Sequence, residues 1–323
     1  NMSIGNGVIM HIGINLLYLI PGKVGGTETY ARELIPLLAK DNKLVIFCGL
    51  ETAKTFKNSK NIEIVTIPIN STNRVLRILA EQTILPLLSI KYKIDVLFSL
   101  GYSAPVIHFC PSVVTIHDLN WYYHPEDFSF INRFFWKYLT IFSAYFSNHI
   151  ITDSRGSAKS IIKILKVSSE KVTPILHGTP TQIQVRPYKS GNPYIFTVLA
   201  NYPHKNLKTL LKAFSTISIS FPELQLFVCG LGGQSSSTDN VKYLGYVTRD
   251  ELCSLYMGSE LFVFPSAYEG FGYPVLEAMS YGTPVVSSNA FSLAEVVEKG
   301  GILVDPYDIE NYVKSILSIL KSK

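Results

Sequence analysis

Two carboxylates, Glu269 and Glu277, stand eight positions apart in the segment Pro265–Met279, with Gly270, Phe271, Gly272, Tyr273 and Pro274 between them. Glycines at this spacing let backbone amides lie open, and a proline suits the first turn of a helix, so the segment reads as a ligand cradle running into a helix that carries Val275 and Glu277. A pair of carboxylates could cleave a glycoside, but that reaction needs them to flank one bond at about 5–9 Å. Spread along a loop and a helix, they suit instead the vicinal hydroxyls of a ribose or a pyranose, which a carboxylate accepts in pairs.

Three other segments carry polar groups to the ends of apolar runs. Lys205, in Pro203-His204-Lys205-Asn206, could set an ammonium charge against a phosphate, with Asn206 capping the next helix; a solvated lysine is the plain alternative. Gly25 and Gly26, followed by Thr27 and Glu28, enter a helical pattern where amides could approach a phosphate closely, or where the chain merely turns. His117 and Asp118 close the run Val113–Ile116, either as a sugar contact with an orienting carboxylate or as a strand-end cap. His11, His108, His124, His149 and His177 have no such support and are read as structural or surface residues, and nothing groups the histidines into a metal set. Phosphate binders beside hydroxyl readers describe a site for a nucleotide sugar.

The elements that would position these residues alternate. Apolar runs at His11–Leu19, Leu44–Leu50, Glu63–Ile69, Ile94–Leu100, Val113–His117 and His149–Thr152 are spaced by amphipathic stretches, and Tyr194–Leu199, Leu224–Cys229, Val241–Val247, Leu261–Phe264, Pro284–Ser287 and Gly301–Val304 repeat the theme. Helical periodicity marks Thr27–Ala39, Asn73–Ile90, Ser129–Phe146, Leu207–Ile219, Arg249–Met257, Tyr273–Tyr281 and Ile309–Leu320. Near-continuous apolar strands alternating with helices predict α/β architecture with parallel sheets covered on both faces. With 323 residues, two Rossmann-like domains are expected, at 10–185 and 191–323, with a hinge in the Pro- and Gly-rich stretch 179–193. Ligands of such sheets bind beyond the strands' carboxyl ends, so two facing domains would enclose a site.

Composition narrows the partners. Residues 1–190 hold 20 Lys and Arg against 12 Asp and Glu, and residues 191–323 hold 9 against 12, so a basic half precedes a mildly acidic one. The first half thus suits a phosphate or lipid headgroup, while the lack of a dense basic stripe interleaved with aromatics argues against nucleic acid. Four scattered cysteines without a CxxC pair suit a reducing cytoplasm. No apolar stretch reaches the ~18 residues of a spanning helix. Residues 1–9 read as an irregular prelude to a natural start at Met10, part of it foreign to the native chain. The aromatic stripe in Phe128–Phe146 is either core or a membrane-facing surface beside the basic domain.

Several segments in order, Gly25-Gly26-Thr27-Glu28, Thr115-Ile116-His117-Asp118, Thr152-Asp153-Ser154, His204-Lys205-Asn206, Glu269-Gly270-Phe271-Gly272 and Tyr281–Val286, resemble the retaining GT-B glycosyltransferases with a Glu-x7-Glu motif, from about Met10 to the end. The resemblance implies that Gly25, Gly26 and Lys205 hold the donor diphosphate and that Glu277 binds the ribose. It places the transferred sugar on Glu269 and the amides of Phe271, Gly272 and Tyr273, with His117 facing that sugar and Asp118 beside it. No metal or other cofactor is implied. The donor would be a GDP- or UDP-sugar, with mannose- or rhamnose-type transfer to a glycan or lipid-linked acceptor in surface polysaccharide assembly, in the cytoplasm or at the inner face of the membrane. A nucleotide-sugar epimerase and a non-catalytic binding subunit are the alternatives. Two departures stand out: no arginine precedes Lys205 in Leu199–Pro203, and the chain stops at Lys323, where relatives continue to a helix that crosses back to the first domain, as in a shortened or compact member.

Overall fold

The computed structural model describes residues 9–179, 181–232 and 240–322. Most of the prelude 1–9, Pro180 in the expected hinge and the terminal Lys323 lie outside the described residues. The chain divides into two compact units, Asn1–Asp153 with Ser157–His177, and Ser154–Gly156 with Gly178–Lys323.

In the first unit the strands are β1 (His11–Asn15), β2 (Lys43–Cys48), β3 (Ile62–Thr66), β4 (Val96–Ser99), β5 (Ser112–Thr115), β6 (His149–Thr152) and β7 (Val172–Pro174). They form one sheet in the order β3-β2-β1-β4-β5-β6-β7, every neighbour parallel. The helices between them are α1 (Gly26–Leu38), α2 (Leu50–Ala53), α3 (Arg74–Lys91), α4 (Asn120–Tyr123), α5 (Phe130–Phe146) and α6 (Arg155–Leu165). The first strand is shorter than its apolar run: Leu16 keeps one amide bond, to the Phe47 carbonyl of β2, while Leu17 and Leu19 are fully buried but have left the ladder. Hydrophobicity reports burial, not pairing.

The second unit repeats the plan with β8 (Tyr194–Val198), α7 (Leu207–Ser220), β9 (Gln225–Cys229), β10 (Val241–Gly245), α8 (Arg249–Gly258), β11 (Leu261–Phe264), α9 (Tyr273–Ser280), β12 (Val285–Ser288), α10 (Leu293–Val297), β13 (Ile302–Val304) and α11 (Ile309–Leu320). The parallel order is β10-β9-β8-β11-β12-β13. Strands β9 and β11 are buried along their whole length, which is why they read as apolar runs without alternation.

Residues 181–193 of the expected hinge are fastened to the second unit. The amide of Tyr188 donates to the Ser254 carbonyl at 2.9 Å, its ring packs edge-on against Tyr194 and Phe227, and Gln182 reaches the Ser280 carbonyl. Proline and glycine mark this strap as irregular in sequence, but its aromatic ring anchors it to the second unit.

Candidate active site

In each sheet the strand order reverses once, at β1/β4 and at β8/β11, and such reversals leave a crevice beyond the carboxyl ends of the strands. In the second unit the loops leaving β8 and β11 meet there. Lys205 follows β8, Glu269 follows β11, and Lys205 Nζ donates to Glu269 Oε1 at 2.6 Å, both side chains being mostly shielded from solvent. Asn206 does not cap α7 with its side chain. It adopts a left-handed conformation, donates to the Pro265 and Pro306 carbonyls and accepts from Thr209, so it staples the β8 loop to the β11 loop and to the segment after β13.

The loop Glu269–Gly272 is held from below by Ser292, whose hydroxyl lies 2.8 Å from the Glu269 carbonyl and 2.9 Å from that of Phe271. Phe271 is buried in the core. Gly272 has φ +109°, and a Cβ there would come within 2.5 Å of Leu293 Cδ2, so glycine is required on two counts. Tyr273 and Pro274 open α9, and the Val275 amide, expected among the ligand contacts, closes the first helical turn on the Gly272 carbonyl while its side chain is buried. Gly270 is buried within the same loop. Glu277, one turn further, is also buried; its carboxylate accepts from Arg249, at the start of α8, and from the Tyr256 hydroxyl at 3.1 Å. Burial, reinforced by the neighbouring carboxylate, pushes the Tyr256 phenol well above its ordinary range and keeps it a donor.

In the first unit, Gly25 (φ +59°) and Gly26 lie exposed at the N-terminus of α1, and a Cβ on Gly25 would meet open space. Amides can be approached there. Glu28 faces inward to this turn instead: its carboxylate accepts from the Gly22 amide at 2.7 Å and from Arg32 at 2.8 Å, fixing the loop that presents the glycines.

His117 is turned into the protein. Leu100, His117, Asp153 and His177 follow β4, β5, β6 and β7, four neighbouring parallel strands, so they converge at one sheet edge. His117 Nδ1 lies 2.7 Å from Asp153 Oδ2 and Nε2 lies 3.0 Å from the Leu100 carbonyl. Carboxylate and carbonyl only accept, so both ring nitrogens carry protons and the ring is an imidazolium. Burial opposes that charge, but Asp153 and the Leu100 carbonyl outweigh it and raise the affinity for the proton. Asp153, which burial alone would raise, is held below the ordinary carboxylate range by the two histidines. His177 Nε2 stands 3.1 Å from the other Asp153 oxygen, and Tyr30 packs edge-on against both imidazoles. Asp118 accepts from the Asn120 amide, and burial raises its carboxyl. His117, Asp153 and His177 bring ligand-type atoms within 4.8 Å of one another, a grouping that sequence spacing did not show, but with both its nitrogens protonated the His117 ring has no lone pair for a metal.

A sequence profile for Glycosyltransferase Family 4 matches residues 24–183, and one for Glycosyl transferases group 1 matches residues 179–323. The chain belongs to this glycosyltransferase family. It is 31% identical over 216 residues to the O-antigen chain mannosyltransferase RfbU of Salmonella typhimurium, a match covering 64% of this chain and 60% of that protein. The chain therefore spans about three fifths of the length of that curated relative. Its fold is GT-B, as in the sucrose-phosphate synthase of Thermosynechococcus elongatus (TM-score 0.73, 19% identity, covering 97% of this chain and 90% of that one). Anabaena Alr3699/HepE, solved with UDP and glucose, is similar at TM-score 0.70 and 19% identity, covering 97% and 90%.

Sequence reasoning missed Arg249, Tyr256 and Ser292 in the second unit and the clamp around His117 in the first. Arg249 sits among ordinary helix-start residues after Thr248, whose capping box with Glu251 is legible, but its contact to Glu277 spans 28 positions. Asp153 carried one signal, its place in Thr152-Asp153-Ser154 directly after a strand.

Proposed function

We propose that the protein is a retaining glycosyltransferase that moves mannose or a related hexose from a nucleotide diphosphate sugar to a glycan or lipid-linked acceptor in surface polysaccharide assembly. The observation that carries this is the Lys205–Glu269 pair at the β8/β11 reversal. An ammonium group poised beyond the strand ends suits a diphosphate, and a carboxylate held beside it suits sugar hydroxyls. Paired as they are, each neutralises the other. A bound donor would offer Lys205 its phosphate and free Glu269 for the sugar.

As the bond from the anomeric carbon to phosphate breaks, negative charge grows on the leaving diphosphate, where Lys205 is already placed to stabilise it. The acceptor hydroxyl attacks the same face and gives its proton to that diphosphate, so no protein base is needed. This agrees with His117, whose ring nitrogens both already carry protons and so offer no lone pair. The charge stabilisation is assigned to lysine and amides with no resident metal, and Glu277 is assigned to the donor ribose. The relative RfbU supports mannose by its name. The acceptor end of the reaction is placed in the cytoplasm at a membrane surface, with the basic first unit in peripheral contact.

The test is incubation with GDP-mannose and with UDP-glucose, each with and without a saccharide acceptor, followed by proton NMR of the anomeric region. Acceptor-dependent transfer with the donor's anomeric configuration kept is expected, unaffected by a chelator. Inversion would refute the retaining mechanism. Conversion of the donor without acceptor would mean an epimerase, and tight donor binding without turnover a binding subunit.

A further inference from the structure

The amphipathic helix α5 is packed the wrong way round for a soluble core. Its buried positions are the small or polar Thr140, Ser143 and Ala144, while its aromatic stripe faces outward. Phe130, Phe134, Tyr138, Phe142 and Phe146 recur every four residues along that outer side, between 38% and 84% exposed. From Phe134 onward their rings follow one another at centroid distances of 4.5, 6.3 and 6.4 Å, a continuous ladder. Single exposed aromatics need no explanation, but a ladder along a whole helix marks a surface that is covered in use.

The neighbouring helix α3 shares the pattern. Its buried set includes Ala80, Glu81 and Ser89, whereas Val75, Leu76 and Leu79 are exposed near its start. The two helices meet there: Arg74 donates to Asn132 at 2.7 Å, and its guanidinium lies 5.7 Å from the Trp136 ring centroid. On the two helices themselves the charges that reach solvent have one sign. Helix α5 carries Arg133 and Lys137, both exposed, and no acid; α3 carries Arg74, Arg77 and Lys91, and its single acid, Glu81, is buried against Asn15 and Ser103. The nearest acids before α5, Glu126 and Asp127, are engaged with His124 and Asn120.

We infer that the outer face of α5, with the start of α3, docks in the plane of a bilayer rich in anionic lipid. This deepens the membrane part of the proposed function without resting on the sugar chemistry, since vesicle binding needs no donor. Aromatic side chains enter the boundary between headgroups and acyl chains while Arg133 and Lys137 meet lipid phosphates. A second copy of the chain fits less well, because a symmetric contact would set Arg133 and Lys137 against their own copies with no acid on either helix exposed to answer them. Among the described residues no helix is long and apolar enough to cross a membrane, so the contact is an in-plane one.

The experiment is co-sedimentation of the full chain with phosphatidylcholine vesicles, with and without phosphatidylglycerol, at low and high salt, beside size-exclusion chromatography. Binding should require phosphatidylglycerol and weaken with salt. The double variant Arg133→Glu, Lys137→Glu should lose at least about 25-fold in partitioning, since each basic residue near an anionic surface is worth roughly 5-fold. The variant Phe134→Ser, Phe142→Ser should abolish binding while leaving the melting temperature unchanged, because neither ring is buried. Failure to bind either vesicle, binding indifferent to both variants, or a dimer dissolved by the phenylalanine changes would overturn the inference. Transfer to a soluble acceptor, measured in parallel, keeps its failure distinct from failure of the glycosyltransferase reading.

Discussion

Replacing Asp153 with asparagine keeps the size of the side chain and removes the charge that answers the His117 imidazolium. Both partners are almost fully buried, with 6% and 5% of their side chains exposed, so water cannot substitute. Breaking a buried ion pair from one side costs about 3–5 kcal/mol. For a unit of this size, which should lose 2–4 °C per kcal/mol, the melting temperature of the first unit should fall by about 10 °C. The pH dependence has a definite sign. The folded state raises His117 above its ordinary 6.5, so its contribution is complete below that value and is lost as pH rises through the raised one. It lowers Asp153 below its ordinary 3.8, so that contribution is complete above 3.8 and is lost as pH falls through the lowered value. The gap between wild type and D153N should therefore be widest between 3.8 and 6.5 and narrow on the alkaline side. Thermal denaturation across pH measures the gap, and nitrogen-15 NMR of labelled histidine reads the ring directly. Wild-type His117 should show two protonated nitrogens at neutral pH, and in D153N, where only the Leu100 carbonyl and Asp118 still oppose burial, the ring should lose its second proton at lower pH than in the wild type. A neutral His117 in the wild type, or equal stability of the two proteins throughout, would refute the reasoning.

Lys205→Ala should lower the transfer rate by about 10²–10³-fold, the usual loss for one preorganised group that meets developing charge; initial rates at saturating donor check it. Glu277→Ala should weaken donor binding, seen as a lost thermal shift with nucleotide sugar, whereas Glu269→Ala should mainly slow turnover; indistinguishable effects would contradict the separate assignments. Gly272→Ala should destabilise the second unit by at least about 1–2 kcal/mol in denaturant titration, from left-handed backbone strain alone, before the clash with Leu293 is counted.

The plan of two parallel sheets was legible in the chain because strands covered on both faces, such as Leu261–Phe264, have no choice but to be apolar throughout. The loops that carry Lys205, Glu269 and the glycines at 25 and 26 were legible for a related reason: in such sheets the chain must turn into a helix just where a strand ends, and turn chemistry is local. Strand β7 and helix α6 escaped notice, the one because three residues leave no period and the other because its buried face is built partly of serine and alanine. Pairing lay beyond the sequence altogether. Lys205 meets Glu269 across 64 positions and His117 meets Asp153 across 36, and only the order of strands in each sheet decides which loop ends become neighbours. The stripe on α5 shows the same division from the other side. Its period of four aromatics was readable, but periodicity states only that one face of a helix is apolar. Whether that face meets the core or the outside depends on what the fold sets against it, and the side buried is that of Thr140, Ser143 and Ala144, with Ala144 packed in the core that holds Val114 and Ile150.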